Sequence, residues 1–437
     1  METAQTKHIV IVGGGFAGLA AAKKFANKRG VRVTLIDRRN HHLFQPLLYQ
    51  VAMAGLSPAD IAAPIRSILR TAKNITVVCS EVKSVDTENR RLDTTHGLEE
   101  YDYLIMACGA RHGYFGNERW EPNAPGLKTI EQATEIRRRV LESFEKAELE
   151  EDADERKRQM TFVIVGGGPT GVELAGAIGE MSRFTLAKDF RNIDARAARV
   201  LLIEAGPRVL PGFNEKLSAK ATRFLEQLGV QVWTSSMVTD IDEDGVQLGD
   251  ERVRAATVLW AAGVKASGLG AASGMQCDRV GRVVVNEDLS LEGHPNVFVA
   301  GDQCAITDPK TGQQLPGQAP VAVQQGQHVA DTILAELAGK TARKPFRYFD
   351  KGQMATVGRG RAIAEVGRFR FAGYFAWFVW LVVHVFYLTG FRNRFFVVLN
   401  WAWSFITFRR GSRLIVDPSW RSYTGEQALP AAAGQPG

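Results

Sequence analysis

One short pattern, occurring twice, limits this chain's fold more than any other feature. "HIVIVGGGFAGLAAAKKFA" and "MTFVIVGGGPTGVELAGAIGEM" each run from an apolar, β-rich segment through three glycines into a helical repeat. Gly13, Gly15 and Gly18 form G-x-G-x-x-G, and Gly166, Gly168 and Gly171 form it again. In such a turn the first glycine permits the tight bend. The second lets a pyrophosphate approach the backbone, and the third lets the helix pack close to the strand, its N-terminus facing the phosphate charge. Phe16 and Ala17 in the first unit, and Pro169 and Thr170 in the second, complete the turns and open the helices.

Each unit continues into a second strand that ends in an acid. "VRVTLIDRR" places Asp37 and Arg38 there, and "ARVLLIEAG" places Glu204. A carboxylate at that point accepts hydrogen bonds from a ribose. Glu204 suits the free ribose hydroxyls of NAD and repels a 2′-phosphate, so NADH is expected over NADPH despite the nearby Arg208. Two such units argue for two nucleotides, FAD on the first and NAD(H) on the second, and for an α/β fold with two Rossmann-type domains.

Three further apolar runs stop at small residues, where a backbone passes close to something flat. They are "YDYLIMACGA" with Ala107 and Gly109, "ATVLWAAGVKAS" with Ala262 and Gly263, and "NVFVAGDQCA" with Asp302. The last resembles the form in which flavoproteins set an aspartate against the ribityl chain of FAD. These runs divide the chain into an FAD-binding first part (1–125), an NAD(H)-binding domain with a connector helix (126–284), a second FAD-binding part (285–345) and a C-terminal region (346–437). The connector, "TIEQATEIRRRVLESFEKAELEEDADERKRQ", is expected to present a solvated charged face.

The net charge of +7 over 437 residues raises the question of a nucleic-acid partner. The arginines gather among large apolar residues at the C-terminus, which points to anionic lipid and not to nucleic acid. Cys79, Cys108, Cys277 and Cys304 form neither CxxC nor CxxxxC, so no metal site and no dithiol motif is expected. Cys304 is read as a packed residue. "HIVIV" is too short for a leader and reads as a first strand, so the body of the protein is expected in the cytoplasm.

The C-terminal run from Phe371 to Phe391 has no charged residue, while a second run, Phe395 to Phe408, is shorter. Arg368, Arg370, Arg392, Arg394, Arg409, Arg410 and Arg413 flank them. Trp377, Trp380, Trp401, Trp403, Tyr374 and Tyr387 are ring types that settle at the headgroup level. A single crossing would put arginines on the far side, so amphipathic helices lying in one leaflet are expected. His384 is read as a satisfied residue within that run. "GEQALPAAAGQPG" at the end has the composition of a disordered stretch.

With these residues assembled, the chain resembles the type II NADH dehydrogenases, the single-subunit, non-pumping NADH:quinone oxidoreductases of the glutathione-reductase-like flavoprotein architecture. The resemblance is carried by both glycine motifs, "FQPLLYQVAMAGLSP", "TVLWAAGV", "VFVAGDQCA", "LPGQAPVAVQQG" and the aromatic tail. It implies non-covalent FAD, NADH as hydride donor, a membrane quinone as acceptor, a homodimer, and attachment to the cytoplasmic face of the inner membrane. It places Gln45, Pro46 and Ala319 near the flavin, and Glu173 beside the ring with a role in delivering protons. For the quinone it implies Gln324, with Gln318, Pro320 and Gln325 around it, although Pro320 departs from the family's usual Ala-Gln motif. Sulfide:quinone oxidoreductase and a redox-sensing membrane flavoprotein are the alternatives. The first needs closely placed redox cysteines, and no such set is evident.

Overall fold

In the computed structural model, which describes residues 6–309, 311–389, 391–407 and 411–416, the first glycine unit grows into a six-stranded sheet. Its order is Ser290–Leu291, His294–Val299, Tyr103–Met106, Lys7–Val12, Val31–Asp37, Ile75–Cys79. The central strands are parallel and in close register, with Val12 opposite both Ile36 and Met106. They read as near-continuous apolar runs because both faces of the sheet are covered. The strand His294–Val299 returns from far along the chain to pair with Tyr103–Met106, so this domain is built from both ends of the enzyme body.

The second unit is a four-stranded parallel sheet in the order Val230–Trp233, Arg199–Ile203, Thr161–Val165, Thr257–Trp260. Its first helix, Pro169–Glu180, runs into a π-helical turn at Met181–Thr185, which takes up the longer gap before Arg199–Ile203. The connector helix Ile130–Leu149 is capped by Thr129, whose side chain accepts from Gln132 N. Arg138 pairs with Glu135 and Glu142, each at 2.7 Å, along its solvated side. Its other side buries Ile136, Val140 and Phe144 in the core that joins the second unit to residues 44–56.

The C-terminal region departs from the sequence expectation. The strands Gln353–Gly358, Arg361–Val366 and Phe369–Gly373 form an antiparallel sheet before any helix begins. Phe371, expected to open an apolar helix, pairs with Ala364 instead. Alternating side chains in "QMATVG" and "RAIAEV", joined by Arg359-Gly360, favour the hairpin over continuing the helix. Two helices follow, Tyr374–Tyr387 and Phe391–Thr407. Among the described residues no helix is long and apolar enough to cross a membrane. Arg409, Arg410, Phe408 and the terminal low-complexity stretch lie outside the described residues, as does the side chain of Arg392.

The sheet is fastened to the second unit by a missing side chain. A Cβ on Gly176 would lie 1.8 Å from the Val357 carbonyl oxygen, so the helix and the strand touch backbone to backbone. The tail is thereby tied to the nucleotide-binding body, and Trp380 and Val397 share the core of that body.

Candidate active site

The two glycine turns have the same geometry. Gly13 and Gly166 sit at φ of +107° and +109°, left-handed positions that glycine takes without strain. A Cβ on Gly18 would fall 1.9 Å from Gly13 O, and one on Gly171 would fall 1.8 Å from Gly166 O. At Gly15 and Gly168 nothing lies within 4 Å of an added Cβ, which is the open side a pyrophosphate requires. These two residues cap the helices Phe16–Phe25 and Pro169–Glu180.

The acids close the turns in parallel ways. Asp37 Oδ2 accepts from Gly14 N at 2.6 Å and Oδ1 from Arg39 N at 2.7 Å. Glu204 Oε2 accepts from Gly167 N and Oε1 from Gly206 N, both at 2.6 Å. Arg208 is turned onto its own loop, where it donates to the carbonyls of Pro211 and Phe213. Ala262 backs the second turn as Ala107 backs the first, and Gly263 packs against Gly113 O and Phe115. Gly109 also lies at positive φ, +69°.

Asp302 lies in a recess formed by Gly301, Leu315, Pro316, Gly317, Val321 and Gln325. Lys128 Nζ approaches its carboxylate at 3.6 Å. The helix Ala319–Leu337 begins beside it, with Gln318 at the cap and Pro320 in the first turn. This helix presses on the first glycine helix, where a Cβ on Gly326 would meet Ala17 O at 2.1 Å. The open turn at Gly15, the acid at Asp37 and the recess at Asp302 together suit FAD. Gln45 and Pro46 lie on the short helical turn Gln45–Leu47.

The glutamines expected around a quinone are engaged locally. Gln325 is 1% exposed, and its Oε1 accepts from Gly301 N at 2.7 Å. Gln324 makes a paired contact with Phe349, donating to its carbonyl at 3.0 Å and accepting from its N–H at 2.9 Å. Cys304 is buried, and that burial pushes its thiol up to about 12; Cys108 is pushed up likewise. All four cysteines are free. His384 is satisfied within its own helix, its Nδ1 lying 2.7 Å from Trp380 O.

A larger cleft, about 810 Å³ with its open mouth, lies between the second unit and the tail. Glu173, Ala177 and Glu180 line it from the helix Pro169–Glu180, spaced so that they share one face. Tyr49 and Gln50 line it from the FAD-binding part, and Thr356 and Arg359 from the C-terminal sheet. Trp377, Trp380 and Trp401 form the roof. Enclosure by protein pushes the Glu173 carboxyl up to about 8, against a smaller opposing effect of a hydrogen bond with the Thr356 backbone. Glu180 is paired with Arg359 at 3.6 Å.

The indoles were expected at the headgroup level, yet two of them turn inward. Trp380 is 2% exposed, and Trp401 Nε1 donates to Gln50 Oε1 at 2.7 Å. Trp403 and Tyr374 do face outward. Sequence reasoning missed Gln50, Thr356 and the inward indoles, because what brings them together is the C-terminal hairpin. The alternation in residues 353–366 was the available signal.

Two like turns, a first sheet closed by a returning strand and a recess around Asp302 define a two-nucleotide flavoprotein reductase. Residues 7–326 match the pyridine nucleotide-disulphide oxidoreductase family, and residues 351–410 match the NDH2 C-terminal domain. The chain is 44% identical to the type II NADH:quinone oxidoreductase Ndh of Mycobacterium tuberculosis, over 94% of this chain and 90% of that protein. It is 45% identical to NdhA of the same organism, over 94% and 89%. The chain belongs to the type II NADH:quinone oxidoreductases. In fold it is similar to NDH2 of Plasmodium falciparum solved with NADH, at a TM-score of 0.86 and 21% identity, covering 94% of this chain and 100% of that one. The sulfide:quinone oxidoreductase of Aquifex aeolicus shares the fold at a TM-score of 0.72 and 20% identity, over 89% and 92%.

Proposed function

We infer that this chain oxidises NADH and passes two electrons to a quinone, and that the cleft roofed by the tail is where the quinone is reduced. FAD, held at the first turn, supplies the two-electron carrier between the two substrates. Gly168 and the helix that follows it receive the NADH pyrophosphate, and Glu204 accepts from the adenosine ribose. The two short bonds that fix the Glu204 carboxylate, and the turning away of Arg208, support NADH over NADPH. Quinone reduction consumes two protons. Glu173 stands in a cleft roofed by three indoles and bordered by Tyr49 and Gln50 of the FAD-binding part, and this arrangement carries the reading. Enclosure there pushes its carboxyl up to about 8, which suits it to hold a proton. Gln324 braces Phe349 and Gln325 braces Gly301. With Gln318 and Pro320 at the helix start they bear on the quinone through the elements they belong to, since none of the four lines the cleft.

The tail attaches the enzyme to the membrane from which the quinone arrives. Phe375, Phe378, Phe386, Phe395, Leu399 and Trp403 are all exposed on its two helices. A helix of 14 residues such as Tyr374–Tyr387 reaches about 21 Å, short of the roughly 30 Å hydrocarbon core. Helices of this length suit lying in one leaflet, and Arg368, Arg370 and Arg394 support the cytoplasmic face by the bias of basic residues. The family resemblance supports a homodimer.

An anaerobic titration of the detergent-solubilised protein tests the reading. Flavin absorbance is expected to bleach with NADH, far less readily with NADPH, and to recover on adding a short-chain quinone. Bleaching without recovery would contradict it.

A further inference from the structure

Trp380 carries a hydrogen-bond donor that the fold does not use. Its ring is clamped by stacking on His384 at 4.2 Å and by Trp401 at 5.5 Å, and it lines the same cleft as Glu173. An indole N–H can only donate, and buried donors are almost always partnered. Trp380 Nε1 is buried and has no hydrogen-bond partner among the described residues. The neighbouring indole behaves differently. Trp401 Nε1 donates to Gln50 Oε1, and Gln50 Nε2 donates onward to the Tyr49 hydroxyl at 2.9 Å. One roof indole is thus spent on holding the tail to the body, and the other is free for a ligand.

A ligand that suits this place is flat and apolar enough to lie under indole rings, and it offers an acceptor oxygen. A quinone headgroup meets both conditions. We propose that Trp380 is a positioning residue for the acceptor, its Nε1–H donating to one carbonyl oxygen of the quinone while Glu173 faces the ring from the second nucleotide unit. Reduction adds two electrons, which come from NADH through FAD, and two protons. The indole keeps its own proton throughout. It holds the oxygen in place and steadies it as negative charge gathers there, and the protons arrive from the Glu173 side. This inference rests on the cleft being the quinone site.

Trp380→Phe keeps an aromatic ring against His384 and removes the donor together with some buried ring volume, whose packing effect the control variant reports. The expected result is a KM for a short-chain quinone raised roughly three- to tenfold, the effect of one lost hydrogen bond. Bleaching by NADH and turnover with ferricyanide, which has no carbonyl, should be unchanged. Phe144→Leu, in the core under the connector helix and away from the cleft, serves as the packing control and should lower the melting temperature without this selective rise. An unchanged quinone KM overturns the proposal. So does an equal loss with quinone and ferricyanide, which marks a structural role. Should Trp380→Phe fail to fold, ultraviolet resonance Raman spectra of the native protein decide instead. Quinone should shift one indole N–H mode, and no shift overturns the proposal. Failure of the underlying site assignment is told apart by Glu173→Gln, which should slow reoxidation by quinone when the cleft is the quinone site and leave it unchanged when it is not.

Discussion

The two nucleotide-binding units share a turn and differ in the helix that follows it. Aligned on their glycines, Ala20 stands where Glu173 stands, Lys23 where Gly176 stands and Asn27 where Glu180 stands. The first helix packs against Ala319–Leu337 through Ala17 and Gly326 and lays no carboxylate along its length. The second gives up a side chain at Gly176 so that the C-terminal sheet can reach it, and lays two carboxylates along the cleft so formed. Glycine spacing therefore dictates where a nucleotide sits. The residues one and two turns later set whether that helix also lines a cleft with carboxylates.

The comparison is broken most severely by filling the third glycine of either turn. Gly18→Val and Gly171→Val both force a side chain onto a carbonyl oxygen less than 2 Å away. Gly18→Val should yield protein without the flavin absorbance. Gly171→Val should retain FAD and weaken reduction by NADH by about ten- to a hundredfold, from overpacking of a few kcal/mol. If both variants lost the same function, the assignment of one nucleotide to each turn would be wrong.

A smaller effect sharpens the contrast between the acids. Glu204→Gln replaces a carboxylate that accepts two backbone N–H bonds, each charge-assisted. The KM for NADH should rise about tenfold, with the preference over NADPH narrowed, as steady-state kinetics with both nucleotides would register. Asp37 is untouched, so flavin content should stay the same.

A further effect is on stability. Glu173 has a folded-state pKa of about 8, above the 4.5 of a free carboxyl, so the folded protein binds the extra proton between those values. Its contribution is complete below the lower value and is lost as pH rises through the upper one. The groups facing it are Tyr49, Glu180 and Arg359, and the last two are paired with each other. Glu173→Gln should thus melt progressively higher relative to the native protein as pH is raised from 5 to 8. A constant difference across that range would remove the raised pKa from the account.

Much of this was legible in the residues themselves. The turns and the paired acids follow from local spacing, because a glycine at positive φ and an acid at a strand end are short-range requirements. Asp302 was legible only through the likeness of its segment to a flavoprotein form. The return of His294–Val299 to the first sheet was readable from the repeated "strand then small residue" form. The C-terminal sheet and the cleft were not. Nothing adjacent to Gly176 in sequence announces Val357, and the inward turn of Trp380 depends on a hairpin nearly two hundred residues from the helix it meets. A mean apolar run also conceals where pairing ends and helix begins, which is why Phe371 was expected in a helix and stands in a strand.

Rapid mixing of NADH-reduced enzyme with quinone, from pH 6 to 9, tests the central claim most directly, run on the native protein and on Glu173→Gln. The account predicts that flavin reoxidation in the native enzyme slows as pH rises through about 8, where Glu173 gives up its proton. The Gln variant should be slower below that pH and lose the dependence, while both proteins are reduced by NADH at equal rates. The same pH profile in both proteins, or a defect confined to the NADH step, would contradict a quinone site in the cleft that Glu173 shares with the tail.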